Sequence, residues 1–116
     1  MAYRIAIAST NGESVDQHFG QARNFLIYEI LEDRVEFIED REVDFISNEA
    51  THADSNLGRV SLLLKDCKAV FVVKIGEKAS SYLYIHGISS FTVNYSLNHV
   101  FTTLLKRQKS NFRIFK

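Results

Sequence analysis

Ala69-Val70-Phe71-Val72-Val73 is an unbroken apolar run rich in β-branched residues, which is how a parallel strand covered by helices on both faces reads. It is expected at the middle of a sheet, and the segments on either side of it are helix-sized. Upstream, Leu57, Val60, Leu63 and Leu64 fall at helical spacing behind Asp54 or Ser55 as the cap. That helix is expected to stop near Asp66, with Cys67 just ahead of the strand. Downstream, Glu77 to His86 reads as a short helix closed by Gly87, because glycine readily takes the left-handed conformation that ends a helix. Ser90 to Val93 gives a last short strand, and Ser96 caps the final helix. There Leu97, Val100, Phe101, Leu104 and Leu105 occupy i, i+3, i+4, i+7 and i+8, while Asn98, Thr102 and Lys106 face away. This stripe is expected to cover the sheet, with Val70, Val72 and Leu104 in one core.

The amino-terminal part is strand-rich. Tyr3 to Ala8 alternates as a half-buried strand does, and Ser9-Thr10-Asn11-Gly12 then breaks the pattern with turn chemistry. Asn24 to Leu31 and Arg34 to Arg41 are two strand-like runs separated by Glu32-Asp33, a spacing that suits a tight hairpin although neither residue is glycine. Glu42 to Asp54 mixes polar and acidic residues with Phe45-Ile46 and has no period, which marks it as the longest loop and as a mobile lid or docking segment. The order β-β-β-α-β-α-β-α predicts an α/β fold with a mixed five-stranded sheet flanked by helices. The tail Asn111-Phe112-Arg113-Ile114-Phe115-Lys116 alternates after a basic patch. An edge strand, a partner contact and a frayed end all fit it.

A chain of 116 residues, 46% of them hydrophobic, suffices for one domain spanning 1–116 around one core. Lys plus Arg and Asp plus Glu balance at 14 each, so no basic field argues for nucleic acid or a membrane surface. The single cysteine excludes an intrachain disulfide framework and a cysteine-rich zinc site. Neither a signal peptide nor an apolar run of roughly 18 residues is present, so a soluble cytoplasmic protein is expected.

Asp16-Gln17-His18-Phe19-Gly20-Gln21-Ala22-Arg23 carries the chemistry. Loops on a rigid scaffold are where ligand sites gather. Imidazole is a common ligand of iron and other transition metals, so His18 is either a ligand or the donor of a loop-stabilising hydrogen bond. Gly20 lets a backbone or a bulky ligand come close. Arg23 either draws an anionic cluster or makes a surface ion pair, with Arg4 and Arg59 as alternative cations. Cys67 is a soft donor in type, but its place between a helix end and an apolar strand also suits a small buried hydrophobe. His52, His86 and His99 have no partner at metal-ligand spacing, and His52 alone gains weight, from its long loop. No nucleophile elbow, Walker loop or dinucleotide fingerprint is present. The first strand carries no carboxylate, so metal-dependent nuclease chemistry is not expected.

Two blocks together resemble a known family. Ile5-Ala6-Ile7-Ala8-Ser9, His18-Phe19-Gly20 with Ala22-Arg23, and Phe25-Leu26-Ile27-Tyr28-Glu29 form the first. Leu64-Lys65-Asp66-Cys67-Lys68-Ala69-Val70-Phe71-Val72-Val73, Ile75-Gly76 and Gly87-Ile88 form the second. Over residues 2 to 106 the chain is similar to the dinitrogenase iron-molybdenum cofactor biosynthesis domain. The resemblance implies a single RNase H-like three-layer domain that is a non-catalytic carrier or accessory protein in nitrogen fixation. Its cargo would be an iron-sulfur or iron-molybdenum-type cluster. It implies His18 as a cluster ligand and Cys67 as the cysteine of the Asp-Cys block. The expected cargo site is then Asn11, Gly12, His18, Gly20 and Arg23, with His18, Cys67 and His52 as metal ligands. The implied partners are cofactor-assembly proteins, and the expected state is a monomer or weak homodimer. Two departures stand out: relatives often have a proline or second glycine after the Ile-Gly turn, where this chain has Glu77-Lys78-Ala79, and the middle loop offers only Thr51-His52-Ala53-Asp54. That scarcity of ligands leaves a second expectation, a protein-interaction or regulatory module on the same scaffold without a bound cluster.

Overall fold

The computed structural model describes residues 2–43 and 53–109, with side chains at 2–43 and 57–107. Its elements are β1 (Tyr3–Ile7), a 3₁₀ turn (Phe19–Gln21), β2 (Asn24–Ile30), β3 (Val35–Glu42), α1 (Ala53–Leu63), β4 (Cys67–Val72), α2 (Glu77–Ile85), β5 (Ser89–Thr92) and α3 (Leu97–Lys109). The expected order of strands and helices is the observed one. The sheet runs β3-β2-β1-β4-β5, with β2 antiparallel to β1 and β3, and β1, β4 and β5 mutually parallel. The expected hairpin closes through Leu31 N–H donating to Arg34 C=O at 2.8 Å, leaving Glu32-Asp33 as its turn.

The apolar run does not lie at the middle of the sheet. β1 does, and β4 sits between it and the edge strand β5. An unbroken run reports cover on both faces, which β4 and β1 share, because Ile5, Ala6, Ile7 and Ala8 are all fully buried. β1 reads as half-buried only because Arg4 interrupts it, and Arg4 is there to pair with Glu29 and Asp66.

Helices cover opposite faces. Leu57, Val60 and Leu64 of the α1 region and Leu83 of α2 pack with Ala6, Phe25, Ile27, Val70 and Val72. Leu97, Val100 and Leu104 of α3 pack with Ile5, Ile7, Ile30, Ala69 and Phe71 on the other side. Val70 and Val72 therefore do not share a core with Leu104, contrary to expectation. Side chains alternate along a strand, so Ala69 and Phe71 meet α3 while Val70 and Val72 meet α1 and α2. An all-apolar run hides that phase.

Two helix ends are set as the sequence suggests. Gly87 has φ +86°, its N–H donates to Tyr84 C=O and Ile88 N–H donates to Leu83 C=O, the paired bonds of a Schellman ending with its buried apolar contact. Ser96 Oγ accepts from His99 N–H at 3.1 Å and caps α3. α1, by contrast, starts at Ala53, so Asp54 and Ser55 lie inside its first turn rather than capping it. Of the expected long loop, Glu42 belongs to β3 and Ala53 and Asp54 to α1. Residues 44–52, including His52, and the tail 110–116 lie outside the described residues. No helix among the described residues is long and apolar enough to cross a membrane.

Candidate functional site

β1, β4 and β5 point their carboxyl ends the same way, and in open α/β sheets ligands bind beyond those ends. The loop after β1 is held there by its own polar groups. Ser9, 2% exposed, accepts from Gly12 N–H at 3.0 Å and donates to Asn11 Oδ1 at 3.2 Å. Asn11 Oδ1 also accepts from Glu13 N–H at 2.8 Å and Ser14 N–H at 3.1 Å. Asp16 clasps Thr10 through its N–H at 2.9 Å and its hydroxyl. Gly12 has φ +73°, a conformation that side chains disfavour.

Backbone bonds then tie this loop to the segments leaving β4 and β5. Val15 N–H donates to Tyr95 C=O and Leu97 N–H to Glu13 C=O. Val73 N–H donates to Gln17 C=O at 2.9 Å and Phe19 N–H to Lys74 C=O at 2.8 Å, so His18 and Lys74 form a parallel bridge. Phe19 and Ala22 are buried in the α1/α2 core, with Phe19 6.0 Å from Phe25 between ring centroids. They anchor the 3₁₀ turn, and His18, Gly20 and Gln21 are left exposed. The His18 imidazole makes no hydrogen bond among the described residues, so its expected structural role as a loop donor is not seen there. A Cβ built on Gly20 or Gly76 meets nothing within 4 Å, and neither has a positive φ. Neither packing nor backbone conformation demands glycine at these two positions.

The sequence profile of the family described as "Dinitrogenase iron-molybdenum cofactor" matches residues 1–107. The chain belongs to this family. Among its relatives, the protein NifX of Klebsiella pneumoniae is 36% identical over 85 residues, 73% of this chain and 53% of that protein. The FeMo cofactor biosynthesis protein NifB of Azotobacter vinelandii is 38% identical over 87 residues, 72% of this chain and 17% of that protein. The chain thus spans about half the length of NifX and a small part of NifB. The crystal structure of PH0822 superposes with a TM-score of 0.70 at 28% identity, covering 89% of this chain and 88% of that one. A crystal structure from Methanocaldococcus jannaschii, at 14% identity, shares the fold with a TM-score of 0.58 over 93% of this chain and 92% of the other.

In this family member the candidate residues fall into separate groups. Asn11, Gly12, His18 and Gly20 lie in one loop region, with Asn11 engaged in holding the loop. Arg23 follows, exposed, at the start of β2, its C=O accepting from Val43 N–H at 2.8 Å. Cys67 begins β4 at the opposite end and pairs with Arg4. The seven residue steps of extended chain from Cys67 to Lys74 put roughly 20 Å between the thiol's end of the sheet and His18, too far for one small cluster. Cys67 is 2% exposed, and burial, helped by the Asp66 charge, pushes its thiol up to about 12. Metal ligation needs the thiolate. Among the described residues no three His, Cys, Asp or Glu side chains group to hold a metal ion. His86 Nδ1 lies 2.9 Å from Tyr82 C=O, and His99 lies against Tyr95.

Around Cys67 the polar groups are paired. Arg41 forks onto Asp66 with Nη1–Oδ1 at 2.7 Å and Nη2–Oδ2 at 2.8 Å, and Nη1 also donates to Leu63 C=O at 2.8 Å. Arg4 adds a bond to Asp66 at 3.1 Å and one to Glu29 at 3.4 Å. The Arg41 guanidinium holds the Asp66 carboxyl well below the usual carboxylate range. This network ties β3, β1 and the end of α1 together. Sequence reading missed Lys74, whose only signal is that it is the first polar residue after the apolar run.

Proposed function

We propose that this domain is a non-catalytic carrier or accessory protein for iron-sulfur or molybdenum-iron-sulfur species in iron-molybdenum cofactor biosynthesis. The cargo docks on the carboxyl edge of the sheet, where His18 supplies a coordinate bond. One observation carries the reading: His18 is fixed by backbone bonds on both sides yet offers an exposed imidazole with no hydrogen-bond partner among the described residues. A side chain held in place with its donor atoms open suits a ligand, and a single protein ligand suits cargo that must be passed on. Asn11 and Gly12 serve the site by shaping its loop, Gly20 by leaving room, and Arg23 by charge. Cys67 stays a protonated core residue, and His52 is the remaining candidate for a second ligand.

The name of the NifB relative, FeMo cofactor biosynthesis protein, and the family description support the pathway. The sheet order, with an antiparallel β1-β2-β3 meander followed by parallel β4 and β5, suits an RNase H-like scaffold for a single domain over 1–116. On this reading the domain works in the reducing cytoplasm beside other cofactor-assembly proteins. Anaerobic reconstitution with iron and sulfide, or with tetrathiomolybdate, tests it. Metal that co-elutes with the protein on gel filtration and gives its absorption bands supports a carrier, and metal-free protein overturns it. A second reading, an interaction module without cargo, is favoured by Tyr84 and Ile85, which are large apolar side chains exposed beside the edge strand β5. Metal-free protein after reconstitution favours that module.

A further inference from the structure

One imidazole bond is a weak hold on a cluster, and the residue beside His18 offers a second kind of hold. Val73 N–H to Gln17 C=O at 2.9 Å and Phe19 N–H to Lys74 C=O at 2.8 Å bracket the His18–Lys74 bridge. Partners in such a bridge carry their side chains on the same face of the ribbon. Lys74 is exposed, and its ammonium makes no ion pair or hydrogen bond among the described residues. Arg4, Arg34 and Arg41, by contrast, each hold a carboxylate. The chain carries no net charge, so any attraction for an anion must be local. Beside this pair, Gly20 and Gly76 leave open space where side chains would otherwise stand.

We propose that Lys74 is a binding residue of the cargo site and that the site selects anionic metal-sulfur species by charge. The proposal rests on the carrier reading and adds to Arg23 a second cation, one bridged through its backbone to His18. The ammonium is a compact point charge on a flexible stem, so it follows anions of different shape, as a carrier of cluster precursors requires. His18 contributes the directional bond and Lys74 the attraction, and only the second is screened by salt.

Equilibrium dialysis of tetrathiomolybdate against the whole chain tests this with wild type, Lys74→Gln, Lys74→Arg and Lys65→Gln. Lys65 is an exposed lysine at the opposite end of β4, and its variant removes the same charge from the wrong place. Lys74→Gln is expected to weaken binding about tenfold at about 50 mM salt, with the gap closing toward about 1 M as screening sets in. Lys74→Arg should stay within about threefold of wild type because charge is kept, and Lys65→Gln should bind as wild type does. Lys74→Gln binding equal to wild type overturns the proposal while leaving the carrier intact. An equal loss in Lys65→Gln also overturns it, since net charge alone would then explain the effect. No binding by wild type overturns the carrier reading itself and this proposal with it. Urea unfolding of each variant confirms that a loss of binding is not a loss of fold.

Discussion

The two ends of the parallel strands differ in the groups they leave open, although the carboxyl end too has bonded side chains in its Ser9–Asn11–Asp16 loop. At the amino end, Arg4, Glu29, Glu39, Arg41 and Asp66 are joined in one network beside a buried cysteine. At the carboxyl end, His18 and Lys74 are exposed and make no side-chain bond among the described residues, although the backbone under them is tightly pinned. A paired charge spends its interaction on the fold, and an unpaired one is left for a ligand. The first end is therefore expected to respond to mutation in stability, and the second in binding.

The sharpest way to break this contrast is Arg41→Ala. Its side chain is 15% exposed, and its loss leaves Asp66 short of two bonds and Leu63 C=O short of one. Bonds to charged groups of this kind are worth about 1.5–3 kcal/mol, and a partly exposed carboxylate recovers some of that from water. A destabilisation of about 2 kcal/mol in urea unfolding is expected, with metal retention by the folded fraction unchanged. A loss below about 0.5 kcal/mol would reduce the network to an ordinary surface pair.

His18→Ala should do the reverse. Retention of a reconstituted cluster should fall more than tenfold, about 1.4 kcal/mol, while unfolding stays within about 0.5 kcal/mol of wild type, as for an exposed side chain. Wild-type retention would make His18 a loop residue and leave the carrier without its named ligand. An unfolding change above about 1 kcal/mol would mean that the carboxyl end, too, is built for stability.

The acid side of the stability curve sharpens the contrast at a smaller scale. Asp66 has its carboxyl held below the ordinary range by Arg41, so the folded state binds its proton later than the unfolded chain does. Its contribution is complete above the unfolded value of about 4 and is lost as pH falls below it. Wild type and Asp66→Asn should differ in stability at pH 6 to 7, about neutral, and converge on acidification. Parallel curves down to about pH 2 would show that the charge state of Asp66 is not what the network uses. Cys67 acts at the other extreme: its thiol, raised from 9.0 to about 12, contributes fully below 9 and loses that contribution as pH climbs to 12. Tyr3, raised by burial to about 12, adds to the same alkaline loss.

Much of this contrast was hidden in the sequence for physical reasons. Element order was legible because period and punctuation are local: the α3 stripe, the Glu32-Asp33 turn and Gly87 each need only their neighbours. Strand position in the sheet is not local, so β1 with its Arg4 read as half-buried and β4 read as central. Phase is lost in an all-apolar run, which is why Val70 and Val72 were expected against Leu104. His18 and Cys67 could be named from residue type and family resemblance, but their separation to opposite ends of β4 depends on the parallel pairing of β1 with β4. Lys74 is not legible in the sequence, because one lysine after a strand carries no pattern until His18 is bridged to it.

The smallest effect on stability, and the most selective probe of the carboxyl end, is expected from Gly20→Ala. The added methyl meets no atom within 4 Å, and Gly20 has no positive φ, so neither a clash nor backbone strain arises. Replacing glycine also restricts the unfolded chain, which favours the folded state by about 0.4–1 kcal/mol where the native conformation suits alanine. Unfolding should therefore shift slightly toward greater stability or not at all. If cargo lies against the turn next to His18, the same methyl takes space that the cargo uses, and retention after reconstitution should fall several-fold. A bulkier Gly20→Val should lower it further. Retention that ignores both substitutions would move the cargo off this turn and leave His18 and Lys74 to hold it from the other side.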